Sequence, residues 1–272
     1  MSKKSLVVGL ALLLTVGFFG ANQWERIKDA SLIQRCTFQG LTDSYDLSPE
    51  QAGNAATIAV VASRRGLPKR ATTVALAAAL QESKLRILNY GDRDSVGLFQ
   101  QRPSQGWGPE ASLMDPVYST SKFFSALIRN SDWQQLSIAD AAQAVQRSAA
   151  GNAYAAWESE ARVLSEILMS DPFSVTCYLH RFASAPTSAK DRQDSLAADL
   201  KKVFGLNNIE SQSSKIFSIN VKDPKHGLVA AWLVTHADEY GIAEIEANHH
   251  SWARGEWKNN SANTGDISVR FI

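Results

Sequence analysis

Between Ala71 and Ser83 the chain reads Ala-Thr-Thr-Val-Ala-Leu-Ala-Ala-Ala-Leu-Gln-Glu-Ser. This stretch predicts a helix over about 70–85 that is apolar nearly all round. Such a helix has no face suited to water, so it belongs at the centre of a domain with other elements wrapped about it. It closes on one carboxylate, Glu82. The positions three, four and seven residues earlier lie on the same helical face, and they are Ala79, Ala78 and Ala75. Apolar surroundings favour the protonated form of a carboxyl group. The partial negative charge at a helix C-terminus acts the same way. A general acid that breaks a glycosidic bond needs that kind of setting.

The segments around this helix carry clear punctuation. Ser48-Pro49-Glu50-Gln51 reads as an N-cap with Pro in the first turn and Gln three residues after the cap. The helix it opens runs through Ala55, Ile58, Ala59 and Ala62 to a C-capping Gly66. Residues 89–108 are turn-rich, with a short hairpin or tight turn over 96–100 and Trp107 between two glycines. Helical patterning returns at 116–130, 137–148 and 151–170. Residues 182–190 have linker composition, and a helix follows at 191–204. The last part reads strand (215–221), helix (227–240), strand (242–247), strand (266–271). The chain is therefore α+β, a mainly α-helical domain over 48–177 followed, after a linker and helix at 178–204, by a small α+β module over 205–272.

Lys+Arg 28 against Asp+Glu 27 gives a formal net charge of +1, so no global basic bias points to nucleic acid. Lys3 and Lys4 precede an apolar run from Leu6 to Ala21. This reads as an export signal or an uncleaved signal anchor over 1–24; Phe19-Gly20-Ala21 is a poor cleavage site and favours the anchor. Residues 25–47 then form a juxtamembrane lead-in, and the remainder lies outside the cytoplasm, tied to the membrane. The two cysteines, Cys36 and Cys177, are either buried thiols or a disulfide, and export favours the disulfide.

Three segments stand in order along the helical part. They are Gln81-Glu82-Ser83, then Gly97-Leu98-Phe99-Gln100-Gln101-Arg102-Pro103, then Ala141-Ala142-Gln143-Ala144-Val145-Gln146-Arg147-Ser148 with Tyr154 and Trp157 beyond it. In order and spacing they resemble the signature segments of the soluble lytic transglycosylases, a branch of the lysozyme superfamily. The family pattern is Glu-Ser closing a helix, Gly-Leu-Met-Gln in a turn, and a later Ala-Tyr-Asn. Here Phe99 replaces Met, and Val145-Gln146 stands where Tyr-Asn is usual. The Asp-Pro-x-Tyr and Ala-Gln-Ala-Val-Gln segments also resemble those of an exported actinobacterial group in this superfamily. The resemblance implies a lysozyme-like domain that cleaves peptidoglycan strands. Glu82 acts as acid then base, the substrate's own acetamido group assists, and the product has a 1,6-anhydro end. No cofactor is implied.

Side-chain chemistry adds candidates. Ser83 can hydrogen-bond the carboxyl or the sugar, and Gln100, Gln101 and Gln146 can orient neutral polar groups. Trp107 can stack on a sugar face. Asp92 or Asp94 can hold a water as second carboxylate, which would make an inverting muramidase; as Asp-x-Asp in a turn they equally serve as caps or ion-pair partners. His226, His236, His249 and His250 form no metal set, because adjacent histidines in a strand point to opposite faces. The last module weakly resembles a C-terminal domain of secreted proteins, some of which end in a zinc-peptidase-like Asp-His-Val-His-Val. Here Asp266-Ile267-Ser268-Val269 lacks the histidines. Two other readings stand beside the enzyme: an inactive glycan-binding or scaffolding protein of an envelope assembly, and a wall anchor whose C-terminal module docks a protein partner.

Overall fold

The computed structural model describes residues 34–147, 153–179, 185, 188–207, 209–213, 215–221, 225–253, 255–261 and 265–272. The apolar segment at 1–24 lies outside them, as do Ser148 and most of the linker-like stretch. Among the described residues, no helix is long and apolar enough to cross a membrane.

Residues 35–272 form one compact α+β unit. It opens with a hairpin, β1 (Arg35–Gln39) and β2 (Ser44–Leu47), so this part of the expected lead-in is folded structure. Alternation explains it: Cys36 and Phe38 are buried while Arg35 and Gln39 face outward, the period of a half-buried strand. β3 (Val175–Tyr178) pairs antiparallel to the other side of β1 and places Cys177 opposite Cys36. The two are joined in a disulfide, with Cα atoms 3.9 Å apart and a sequence separation of 141.

α1 (Pro49–Arg64) starts with the reciprocal cap expected of Ser48 and Gln51, their two hydrogen bonds measuring 3.3 and 3.0 Å. α2 (Lys69–Ser83) is the central helix, fully buried from Ala71 to Leu80. α3 (Pro116–Arg129) and α4 (Ile138–Gln146) are capped by Asp115 and Ser137. α5 (Glu158–Ser170) follows a 3₁₀ turn at Ala153–Trp157, so the helix expected over 151–170 begins later than its apolar pattern suggests. α2 lies among α1, α3, α4 and α5, and its run of alanines lets these neighbours approach closely.

α6 (Ala189–Phe204) leads to a six-stranded antiparallel sheet. Its strands are β4 (Ile209–Ser211), β5 (Ile216–Ile219), β6 (Ile242–Ala247), β7 (His250–Ala253), β8 (Glu256–Asn259) and β9 (Ile267–Phe271), in the order β4-β5-β9-β6-β7-β8. β4, β7 and β8 go beyond the strands expected from sequence; each has only three or four residues, too short for alternation to stand out. α7 (His226–Thr235) is buried over most of its surface, between α1 and this sheet. His236 interrupts the helix expected over 227–240. His249 occupies the β6–β7 turn at φ +64° and only His250 enters β7, so the two do not sit side by side in a strand.

The sheet-bearing part is joined to the helical part through polar contacts as well as apolar ones. Trp232 Nε1 donates to Thr57 Oγ1 of α1 (3.2 Å), Trp252 Nε1 to Thr176 Oγ1 (3.1 Å) and Trp257 Nε1 to the Val175 carbonyl (2.9 Å). The parts on either side of the boundary read at 178–204 thus share one hydrophobic core.

Candidate active site

The C-terminus of α2 opens onto a cleft of about 1010 Å³. α2 stops without a glycine: Lys84 and Leu85 both take left-handed backbone angles, φ +55° and +59°, and the buried Leu85 side chain holds the reversal in place. Half-buried Glu82 faces the cleft on this last helical turn. Its Oε1 accepts a hydrogen bond from the hydroxyl of fully buried Tyr154 at 2.6 Å. Such a bond fixes the carboxyl rotamer and engages one of its two oxygens. The neighbouring Gln81 Oε1 accepts from Trp157 Nε1 at 2.7 Å, and the Lys84 ammonium lies 3.7 Å from the centre of the Trp157 ring.

The second segment is a tight reversal closed by the antiparallel bridge between Val96 and Gln101. Gly97 sits at φ +76°, where a Cβ would come 2.3 Å from the Leu113 carbonyl oxygen, so only glycine fits. Leu98 and Phe99 turn inward, and Phe99 stacks on Phe123 with centroids 4.7 Å apart. Their carbonyls are clasped from two sides. Ser83 Oγ donates to the Leu98 carbonyl (2.7 Å), and Gln146 Nε2 donates to the Phe99 carbonyl (2.7 Å). The three sequence segments therefore meet, with the turn held between the ends of α2 and α4.

This arrangement separates the candidates. Gln100, at a strained φ of +47°, and Trp107 line the cleft, as do Gln101, Gln146 and exposed Asp92. Ser83 is buried behind the cleft wall, its hydroxyl engaged with the Leu98 carbonyl, so it holds the turn and does not face the cleft. Asp94 is outside the lining. It accepts from Arg102 Nε (2.7 Å), the Ser104 amide (2.7 Å) and the Ser104 hydroxyl (2.9 Å). Those bonds, the Arg102 contact foremost, hold its carboxyl far below the usual carboxylate range, which unsuits it to take a proton from water. Asp92 lies 3.9 Å from Arg93.

Gln101 is the most informative of the lining residues. Only 1% exposed, it donates from Nε2 to the Ser119 carbonyl (3.3 Å), while its Oε1 has no hydrogen-bond partner. A buried acceptor without a donor is costly, and a ligand N–H or O–H reaching it would remove that cost. Two features were not evident from sequence: the Tyr154–Glu82 bond, and the cations Lys122, Arg129 and Arg147 along the cleft. The latter carried a legible cue, since Tyr118, Ser121, Lys122, Ser125 and Arg129 share one helical stripe.

Among the described residues, no group of histidine, cysteine and carboxylate side chains could hold a metal ion. No protein-family model matches the chain, and no curated protein matches it in sequence.

Proposed function

We propose that the protein is an extracytoplasmic glycosidase of the lysozyme-like, lytic transglycosylase type, acting on peptidoglycan strands at this cleft, with Glu82 as acid then base. The observation that carries the reading is the convergence of Glu82, the Gly97–Gln100 turn and Tyr154 on one groove. The hydroxyl of Tyr154 reaches the glutamate although Val145-Gln146 replaces the usual Tyr-Asn of the third segment. Glu82 gives a proton to the glycosidic oxygen as the bond breaks. Asp94 is tied to Arg102 and Ser104, and Asp92, exposed beside Arg93, is the one further carboxylate of the lining; the reading assigns the assisting role to the sugar's own acetamido group. Gln101 Oε1 is suited to accept from the acetamido N–H, and Trp107 offers an apolar face to a sugar ring. Glu82, now a carboxylate, then takes the proton of the sugar hydroxyl that closes the anhydro ring.

The test is release of soluble muropeptides from purified peptidoglycan by wild type and by Glu82→Gln. Release by wild type alone supports the reading; equal release from both sinks it. Binding without release by either would select the alternative of a glycan-binding scaffold.

A further inference from the structure

The cleft is electrically lopsided. Its charged lining comprises two carboxylates, Glu82 and Asp92, and four cations, Arg102, Lys122, Arg129 and Arg147. Arg102 is neutralised by Asp94. The other three have no ion-pair partner among the described residues; Lys122 only lies 5.2 Å from the centre of the Tyr118 ring, one turn earlier on α3. The whole chain carries a net charge of only +1, so this excess is local.

A further cation lies behind the same wall. Partly buried Arg65, at the end of α1, donates from Nη1 to the Ser121 carbonyl (2.6 Å) and to Ser125 Oγ (3.1 Å). It too has no carboxylate partner among the described residues, and burial holds its guanidinium below its ordinary value. The hydroxyls of Ser121 and Ser125 already donate to backbone carbonyls one turn back. The α3 wall thus combines uncompensated positive charge at its rim with more beneath it. A concave, low-dielectric surface focuses such a field toward a ligand of opposite sign.

We propose that the α3 wall, through Lys122 and Arg129 with Arg147 at the end of α4, is an anion-recognising subsite, and that the substrate is a glycan bearing acidic substituents. The relevant chemistry is a carboxylate or a phosphodiester spaced along the strand. This proposal rests on the glycosidase reading of the cleft, and it goes further in excluding neutral N-acetylglucosamine polymers as preferred ligands.

The experiment measures binding of the full chain, wild type and Lys122→Gln/Arg129→Gln, to three soluble glycans at low and high salt. They are a neutral N-acetylglucosamine oligomer, a peptidoglycan strand with intact stem peptides, and a peptidoglycan strand stripped of peptides but carrying phosphodiester polymer. Both substitutions lie on the solvent side of α3 and keep good helix formers. The expected result is roughly tenfold weaker binding of an acidic strand by the variant, a similar weakening of wild type by salt, and an unchanged neutral oligomer. Whichever acidic strand shows the effect identifies its source. Equal effects on neutral and acidic glycans, or none on either, would overturn the subsite while leaving the glycan cleft intact. Failure of wild type to bind any of the three would overturn both.

Discussion

The groove at the end of α2 and a second cavity, of about 610 Å³ beside α7, begin from the same ingredients. Each has an ionisable side chain at the C-terminal end of an apolar helix, with an aromatic residue against it. Glu82 keeps one oxygen on Tyr154 and faces an open cleft beside the unpartnered Gln101 oxygen. His236 lines the second cavity but is packed differently. Its ring stacks on Trp232 with centroids 3.9 Å apart, and its Nδ1 donates to the Trp232 carbonyl at 2.8 Å. Burial pushes its pKa down to about 4, so it is neutral near pH 7. Carboxylates near it are also engaged: Asp199 accepts from Tyr240 and Asp115 pairs with Lys202, both at 2.8 Å. An ionisable group in apolar company therefore does not mark a site. What sets Glu82 apart is its company: the Gly97–Gln100 turn and Trp107 stand at its cleft, whereas His236 lines its own cavity stacked on Trp232.

The sharpest way to break this contrast is to neutralise both groups. Glu82→Gln should lower muropeptide release by about 10²–10⁴-fold, the usual contribution of a general acid. His236→Phe should leave the rate within about twofold. Comparable losses in the two variants would erase the distinction.

Stability supplies the next effect. Replacing Cys36 and Cys177 by serine should cost about 2–5 kcal/mol in a denaturant titration. Because Val175 and Thr176 of the bridged strand β3 also bind Trp257 and Trp252, both regions should unfold in one transition. Separate transitions for the two would contradict the shared core.

Acid should then act on the α7 side. A histidine whose folded value lies below its unfolded one takes up its proton more readily when unfolded. Its stabilising contribution is complete above about pH 6.5 and is lost as pH falls toward 4. The loss is on the order of 2–3 kcal/mol, and His236→Phe should flatten that part of the stability–pH curve. The smallest effect belongs to Tyr154→Phe, which removes one bond to Glu82 and should reduce kcat about tenfold, with KM little changed.

Much of the helical part was legible because its cues are local. Ser48 caps where its spacing says it should, and the alanine-rich run of α2 has to be central. Gly97 announced its turn, and the three segments around it do converge. Other features depend on contacts remote in sequence. Ser83 reads as a sugar ligand until the Leu98 carbonyl, fifteen residues on, is seen to accept its hydrogen bond. Asp94 resembles a catalytic carboxylate until Arg102 and Ser104 fold back on it. The hydroxyl of Tyr154 lies 72 residues from Glu82, and nothing in local patterning foretells that bond. β7 and β8 escaped because hairpin strands of four residues carry too little periodicity.

The central claim is that Glu82 delivers the proton that breaks a glycosidic bond, without a second protein carboxylate. Mass spectrometry of the glycan ends formed by wild type and Glu82→Gln tests it most directly. The account predicts 1,6-anhydro ends from wild type and none from Glu82→Gln. Reducing ends from wild type, or anhydro ends in equal amount from both proteins, would contradict it.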